Sequence, residues 1–345
     1  MKPKSLSHIC RIIKPACSVL ALLLAPTLSF VAQAERNDFK PIVVYQSELI
    51  EGSYLSMVDK GITQFEQKSS MAVKRQQVGD GDYIEQLSQA ATQGYSPIVV
   101  VEANSLEAFS QVAKANPSVH FISLDVSYHV PNVLGLTFNH AEGSYVIGYL
   151  AGLKTKSNQV GFIGGMDIPT INNFKCGFEL GVKDANAKAN LTTKYINNGL
   201  SSWNDVAGAQ AIAQTMLDHD IDVIFPVAGF ASVGVMQAVK QDGDAFSFGV
   251  DQDYSQQFPD TNIASLEKRV DIAVFASLMQ LRNGIWNGNR KHFGIKQGVI
   301  NVALNPNSHV LNADEHQLAT QLLRDFKGNN NAIAQKIAQG CPSRL

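Results

Sequence analysis

The stretch Val160-Gly161-Phe162-Ile163-Gly164-Gly165-Met166-Asp167-Ile168-Pro169 holds the fold in miniature. Its first four residues form a short apolar run, of the kind that becomes a strand covered on both faces. Two glycines break the run. Pro169 then falls where the first turn of a following helix tolerates it. The glycine pair lacks the G-x-G-x-x-G order of a dinucleotide loop, and no ribose-binding acid follows about 20 residues on. The loop is therefore expected to be a cleft wall, in which glycine lets backbone approach a ligand.

The same unit recurs on both sides of this stretch. Apolar, β-branched runs lie at 42–45, 98–101, 119–124 and 133–138, and again at 223–227 and 246–250. Between them, residues fall at helical spacing. Val58, Ile62 and Phe65 share one helical face, as do Val235, Met236 and Val239. Ser202 and Asp205 resemble a capping box with Asp in place of Glu. Asn116-Pro117 ends a helix that begins near Ser105. The end of the chain from Asn329 predicts a terminal helix before Cys341. Strand and helix in alternation mean parallel sheets covered on both faces. The units are too many for one small domain, and two sheets of about five or six strands fit them.

The N-terminus reads as an export signal. Lys2, Lys4, Arg11 and Lys14 precede an apolar segment, 19–31, broken by Pro26, and Ala32-Gln33-Ala34 follows. The apolar segment is shorter than the ~20 residues of a membrane span. Cys17 precedes it rather than ending it, which argues against a lipid anchor there. Residues 35–345 carry 24 basic and 30 acidic side chains, a net charge of −6. A mildly acidic chain without basic clusters offers no electrostatic footprint for nucleic acid. Cys176 and Cys341 lie beyond the signal, and in an oxidising compartment they are a candidate disulfide. One buried thiol and one tail thiol is the other reading of the pair.

Ligands of open α/β sheets bind outside the carboxyl ends of the strands. Those ends here supply Ser47 through Tyr54, Glu102-Ala103-Asn104, Asp125, Asn139-His140, Gly164 through Asp167, Ala228-Gly229-Phe230 and Asp251-Gln252-Asp253. Carboxylates, amides, glycines and aromatics of this kind suit a polar small molecule with a flat ring. No G-x-S-x-G elbow and no P-loop occurs. The histidines have no metal-ligand spacing. Neither an enzyme, a cofactor nor a metal site is expected.

Several ordered blocks resemble the basic membrane protein family of ABC-transporter substrate-binding proteins, whose known members bind purine nucleosides. They are Leu136-Thr137-Phe138, Glu142-Gly143-Ser144-Tyr145, Gly148 through Gly152, the opening stretch 160–169, Phe174, Gly177-Phe178 and Trp203-Asn204-Asp205. Asp222 through Gly229, Gly249-Val250-Asp251 and Lys268-Arg269-Val270-Asp271 complete the pattern, which spans about 40–305.

The resemblance implies a type I periplasmic-binding-protein fold: α/β, with two doubly wound parallel-sheet lobes joined by three crossover segments. It places residues 38–138 and 263–292 in lobe 1, 139–262 and 293–330 in lobe 2, and 331–345 in a C-terminal tail. It implies a periplasmic monomer that takes a nucleoside-like ligand and serves an inner-membrane ABC permease with its ATPase. A ligand-sensing subunit of a membrane receptor is the alternative, because it would use the same fold.

The expected ligand-binding residues are Ser53, Tyr54, Asn139, Met166, Gly229, Phe230, Asp251 and Lys268. Tyr54 and Phe230 suit the faces of a base, with Phe225 read as a core residue instead. By the motif match Asp251 accepts sugar hydroxyls and Lys268 donates to the sugar. Leu55 departs from the family by replacing an amide, and Gly229-Phe230-Ala231-Ser232 is less glycine-rich than the family form. The expected ligand is a nucleoside, with a purine first, or a similar ring-bearing solute, and any departure from the family's usual nucleosides is expected at the base.

Overall fold

Alternation within single strands sets the layering. In β1 (Ile42–Tyr45), Val43 and Tyr45 join one buried apolar cluster, while Ile42 and Val44 join another on the opposite face. Successive side chains of a strand point to opposite faces, so a strand buried at every position needs cover on both sides. In β8 (Val223–Val227), Val223, Phe225 and Val227 face one cluster and Ile224 faces the other. Phe225 packs among the rings of Phe162, Phe178 and Phe248 and is fully buried. It belongs to the core, where full burial of such a side chain contributes about 1.5–3 kcal/mol.

The computed structural model describes residues 39–79, 81–101, 106–197, 199–288, 290–304, 309–328 and 332–341. The expected signal segment and the strand end at 102–104 lie outside them. Lobe 1 is built from β1, α1 (Tyr54–Ser69), β2 (Lys74–Gln77), α2 (Tyr83–Thr92), β3 (Ile98–Val100), α3 (Leu106–Ala115), β4 (Phe121–Leu124) and β5 (Val133–Phe138). The chain then crosses to lobe 2: α4 (His140–Lys154), β6 (Gln159–Gly164), α5 (Pro169–Ala185), β7 (Asn190–Tyr195), α6 (Val206–Leu217), β8, α7 (Ser232–Asp242), β9 (Phe246–Asp251) and β10 (Asn262–Lys268). It returns to lobe 1 for α8 (Val270–Arg282) and β11 (Lys291–Phe293). It crosses a last time for β12 (Ile300–Leu304), α9 (Ala313–Lys327) and α10 (Ala332–Gly340).

Each lobe has a six-stranded sheet, ordered β11-β5-β4-β3-β1-β2 and β12-β10-β9-β8-β6-β7. All pairings are parallel except β10 with β12. The strand order reverses beside β1 in one sheet and beside β6 in the other, and a reversal of this kind opens a crevice at the carboxyl ends.

The second crossover lies later than expected. The resemblance puts residues 263–268 in lobe 1, yet they run in β10, parallel to β9 and antiparallel to β12. Ile263, Ala264 and Leu266 are buried in the core there, so the chain leaves lobe 2 only at Arg269. The three crossovers thus pass through Asn139, Arg269 and Gly294.

One cap also differs from expectation. Ser202 lies in a 3-10 turn, Gly199–Trp203, and Asp205 itself caps α6 by accepting from the Gly208 N–H at 2.8 Å. Cys176 of α5 is disulfide-bonded to Cys341, which follows α10, with 5.6 Å between Cα atoms. The bond fastens the end of the chain to lobe 2.

Candidate ligand site

A cavity of about 210 Å³ lies between the lobes, at the carboxyl ends of β1, β4, β6, β8, β9 and β10. Lobe 1 contributes Ser53, Tyr54, Leu55 and Asp125. Lobe 2 contributes Met166, Phe174, Trp203, Asn204, Gly229, Phe230, Asp251 and Lys268. Seven of the eight residues expected from the sequence therefore meet here.

Asn139 does not. Its backbone N–H donates to the Phe293 carbonyl at 2.7 Å, and its Nδ2 donates to Glu142 at 2.9 Å. It is a crossover residue at the start of α4. Its position after a strand made it resemble a cleft residue, but β5 lies next to the sheet edge, away from the crevice.

At the floor of the cavity a network joins the lobes. Lys268, 4% exposed, donates to Asp125 Oδ1 at 2.6 Å. Tyr54 donates its hydroxyl to Asp125 Oδ2 at 2.7 Å. Both oxygens of one carboxylate thus hold charge-assisted or hydroxyl hydrogen bonds. Charge-assisted bonds contribute about 1.5–3 kcal/mol each. The ammonium also lies 4.2 Å from the centre of the Tyr54 ring and 4.7 Å from that of Phe138. Cation–π attraction of this kind helps replace the water lost on burial.

Asp125 and Asp251 both end strands with positive φ, 65° and 70°. That conformation is uncommon outside glycine, and Asp tolerates it better than most residues. It turns each chain sharply away as it leaves its sheet.

His140 lies behind this network. It is fully buried and stacks on Phe174 at 4.2 Å, and its Nε2 lies 3.5 Å from Asp125. That approach counts as an ion pair only if the ring is protonated, and neither ring nitrogen has a hydrogen bond. Burial pulls its pKa well below the ordinary histidine value, with Lys268 and His292 adding to the effect. The ring is therefore neutral, and the contact is not a salt bridge at neutral pH.

Burial raises the Asp251 carboxyl to about 6, against the lowering effect of Lys268 and with a further push from Asp125. Asp253, the other acid of that loop, accepts from the Ser255 N–H and hydroxyl and stabilises a turn.

The glycine loop makes room for rings of the protein itself. A side chain on Gly165 would collide with the Trp203 ring, and one on Gly164 would meet the Tyr195 ring at 2.6 Å. The glycines admit aromatic side chains of the protein, and Trp203 then lines the cavity in their place. Met166 follows and reaches the cavity directly. Ser53 caps α1, accepting from the Ser56 N–H at 3.2 Å, so it positions Tyr54 at the first turn.

Asp125, Phe174, Trp203 and Asn204 are among the lining residues that the sequence did not mark as ligand-binding. Asp125 carried a signal in its place at a strand end, and Phe174, Trp203 and Asn204 carried one in the family pattern.

Two doubly wound lobes, three crossovers and a cavity at the switch points define a two-lobed solute-binding protein. Residues 40–327 match the Bmp family, ABC transporter substrate-binding protein PnrA-like, and the chain belongs to that family. Such proteins bind solutes and are not a class of enzyme. Basic membrane protein A of Borreliella burgdorferi is 25% identical over 300 residues, which cover 84% of this chain and 87% of that protein. Basic membrane protein B of the same organism is 31% identical over 227 residues, 63% of this chain and 65% of that protein. Among solved structures, an ABC transporter system solute-binding protein from Aeropyrum pernix K1 aligns with a TM-score of 0.75 at 20% identity. The alignment covers 88% of this chain and 98% of that one. A solute-binding protein from Conexibacter woesei aligns at 0.63 and 20%, over 85% of this chain and 99% of that one. At these identities the likeness is one of fold.

Proposed function

We propose that this protein is the periplasmic solute-binding component of an ABC importer and that its ligand is a nucleoside, with a purine base preferred. The observation that carries the reading is the division of the cavity lining. Aromatic side chains come from both lobes, Tyr54 from one and Phe174, Trp203 and Phe230 from the other, beside the polar group of Asp251, Asp125 and Lys268. A flat base suits the rings, where stacking contributes about 1–3 kcal/mol per base in single-strand recognition. Sugar hydroxyls suit Asp251, whose carboxylate accepts two hydrogen bonds. Leu55, buried at the cavity wall, gives the ligand an apolar contact where the resembling family has an amide.

The mature chain acts as a monomer after removal of residues 1–34. It passes ligand to an inner-membrane permease, whose ATPase supplies the energy. Calorimetric titration of the unfolded and refolded mature chain with adenosine, guanosine, inosine, uridine and cytidine tests the reading. A purine nucleoside binding at micromolar or tighter, about −8 kcal/mol, supports it. No heat from any of the five, with the refolded protein otherwise native, removes the nucleoside and leaves the binding-protein class in place.

A further inference from the structure

Two of the three crossovers meet at one carboxylate. Glu142, in the first turn of α4, accepts from the Asn139 side chain through Oε1 at 2.9 Å and from the Ile295 backbone N–H through Oε2 at 2.9 Å. Asn139 is the pivot of the first crossover, and Ile295 follows Gly294, the pivot of the third. The same two segments share a backbone bond, Asn139 N–H to the Phe293 carbonyl. Gly294 lies against the carboxylate so closely that a side chain there would collide with Glu142. Its φ of −135° is open to any residue, so the missing side chain serves the carboxylate and not the backbone. Burial raises the Glu142 pKa, while the two donors lower it.

A buried carboxylate is costly unless its oxygens are satisfied. Glu142 is partly buried, and its donors are the nearby Asn139 side chain and the Ile295 backbone, 153 residues from it. Closure in a two-lobed protein is a change of φ and ψ at a few pivot residues. Any rotation at one pivot must carry the shared carboxylate with it or break one of its hydrogen bonds.

We propose that Glu142 couples the first and third crossovers, so that both bend together and the lobes close along one path. The proposal rests on the reading of the cleft as a site that closes on its solute, but not on which solute binds.

The test is a distance measurement between spin labels at Lys114→Cys in lobe 1 and Lys240→Cys in lobe 2, both exposed helix positions, in the full mature chain. Glu142→Gln keeps the shape but turns an amide N–H toward one of the two donors. Asn139→Ala removes one of the bonds and leaves the carboxylate bonded to Ile295. In the ligand-free protein, both variants are expected to broaden the interlobe distance distribution, Glu142→Gln the more. With any ligand found to bind, dissociation is expected to be at least about threefold faster.

Distributions as narrow as wild type in both variants, with far-UV circular dichroism showing native folding, would overturn the proposal. A lowered melting temperature with unchanged distances would assign Glu142 a structural role only and would equally overturn it. Because the distance readout needs no ligand, failure of the nucleoside titration leaves this test intact.

Discussion

Lys268 and Asp125 meet across the cleft, 2.6 Å apart, although one ends a strand of lobe 2 and the other a strand of lobe 1. The pair lies on the cavity floor, beside the point where the chain passes from Lys268 to the second crossover. A ligand entering the cavity therefore finds the lysine already neutralised, and Asp251 is a carboxylate left for its hydroxyls.

Removing one partner of this pair should cost more than replacing the other by an apolar group of similar length. Asp125→Ala leaves a buried ammonium without its acceptor, and Lys268→Met fills the space without a charge. The expected order of urea midpoints is wild type, then Lys268→Met, then Asp125→Ala. Both variants should weaken ligand by at least about tenfold, or about 1.4 kcal/mol, measured by calorimetry.

Ligand affinity should fall on acidification. The Asp251 carboxyl is raised to about 6 in the free protein. A hydroxyl donating to it favours the charged form, so the complex holds fewer protons than the free protein. Affinity is full above about pH 6 and drops as pH falls through that value, by up to about tenfold per unit. Asp251→Asn should flatten the profile. The same shift has the opposite sign for folding. The folded state binds the proton more tightly than the unfolded chain, so this group's contribution to stability declines as pH rises from its ordinary 3.8 to about 6.

The aromatic lining predicts additive losses from the two lobes. Tyr54→Phe removes the hydroxyl bond to Asp125 but keeps the ring, and should weaken binding less than Tyr54→Ala. Trp203→Ala should weaken it by at least about tenfold. It also leaves a void above Gly165, which a thermal-melting experiment would register as a loss smaller than the ~3–5 kcal/mol of fully buried large-to-small aromatic changes, because Trp203 is only partly buried.

The Cys176–Cys341 bond closes a loop between residues 165 apart in sequence. Replacing both cysteines by serine should lower stability by about 2–5 kcal/mol, judged by denaturant midpoint under oxidising conditions. Ligand affinity should be unaffected, because neither residue lines the cavity.

The runs at 42–45, 133–138 and 223–227 were legible as strands with the bounds observed, because burial on both faces removes polar residues from a strand. Lys74 through Gln77 form β2 at a sheet edge, half-exposed, and nothing apolar marks them. Asn190 through Tyr195, at the other edge, were missed for the same reason. β10 does not stand out in the sequence, because Asn262 and Ser265 interrupt its apolar run. Both are buried. Ser265 accepts from the Tyr254 N–H and donates to the Asn262 side chain.

At the site, position was legible and partnership was not. Asp125 was visible as a strand end, but its importance depends on Lys268, 143 residues away. Trp203 was visible as the residue before a helix, and only the fold places its ring over Gly165.

The strands that complete the two sheets are β11 and β12, at Lys291–Phe293 and Ile300–Leu304. They form one border of each sheet, and they are the last strands among the described residues. A polypeptide delivered N-terminus first must therefore wait for residues 291–304 before either sheet can finish. Its early pieces hold open borders in the meantime, where unpaired backbone invites pairing with a stranger. Interleaving the lobes ties their maturation to one late event, so that a truncated chain yields two unfinished halves rather than one finished and one missing.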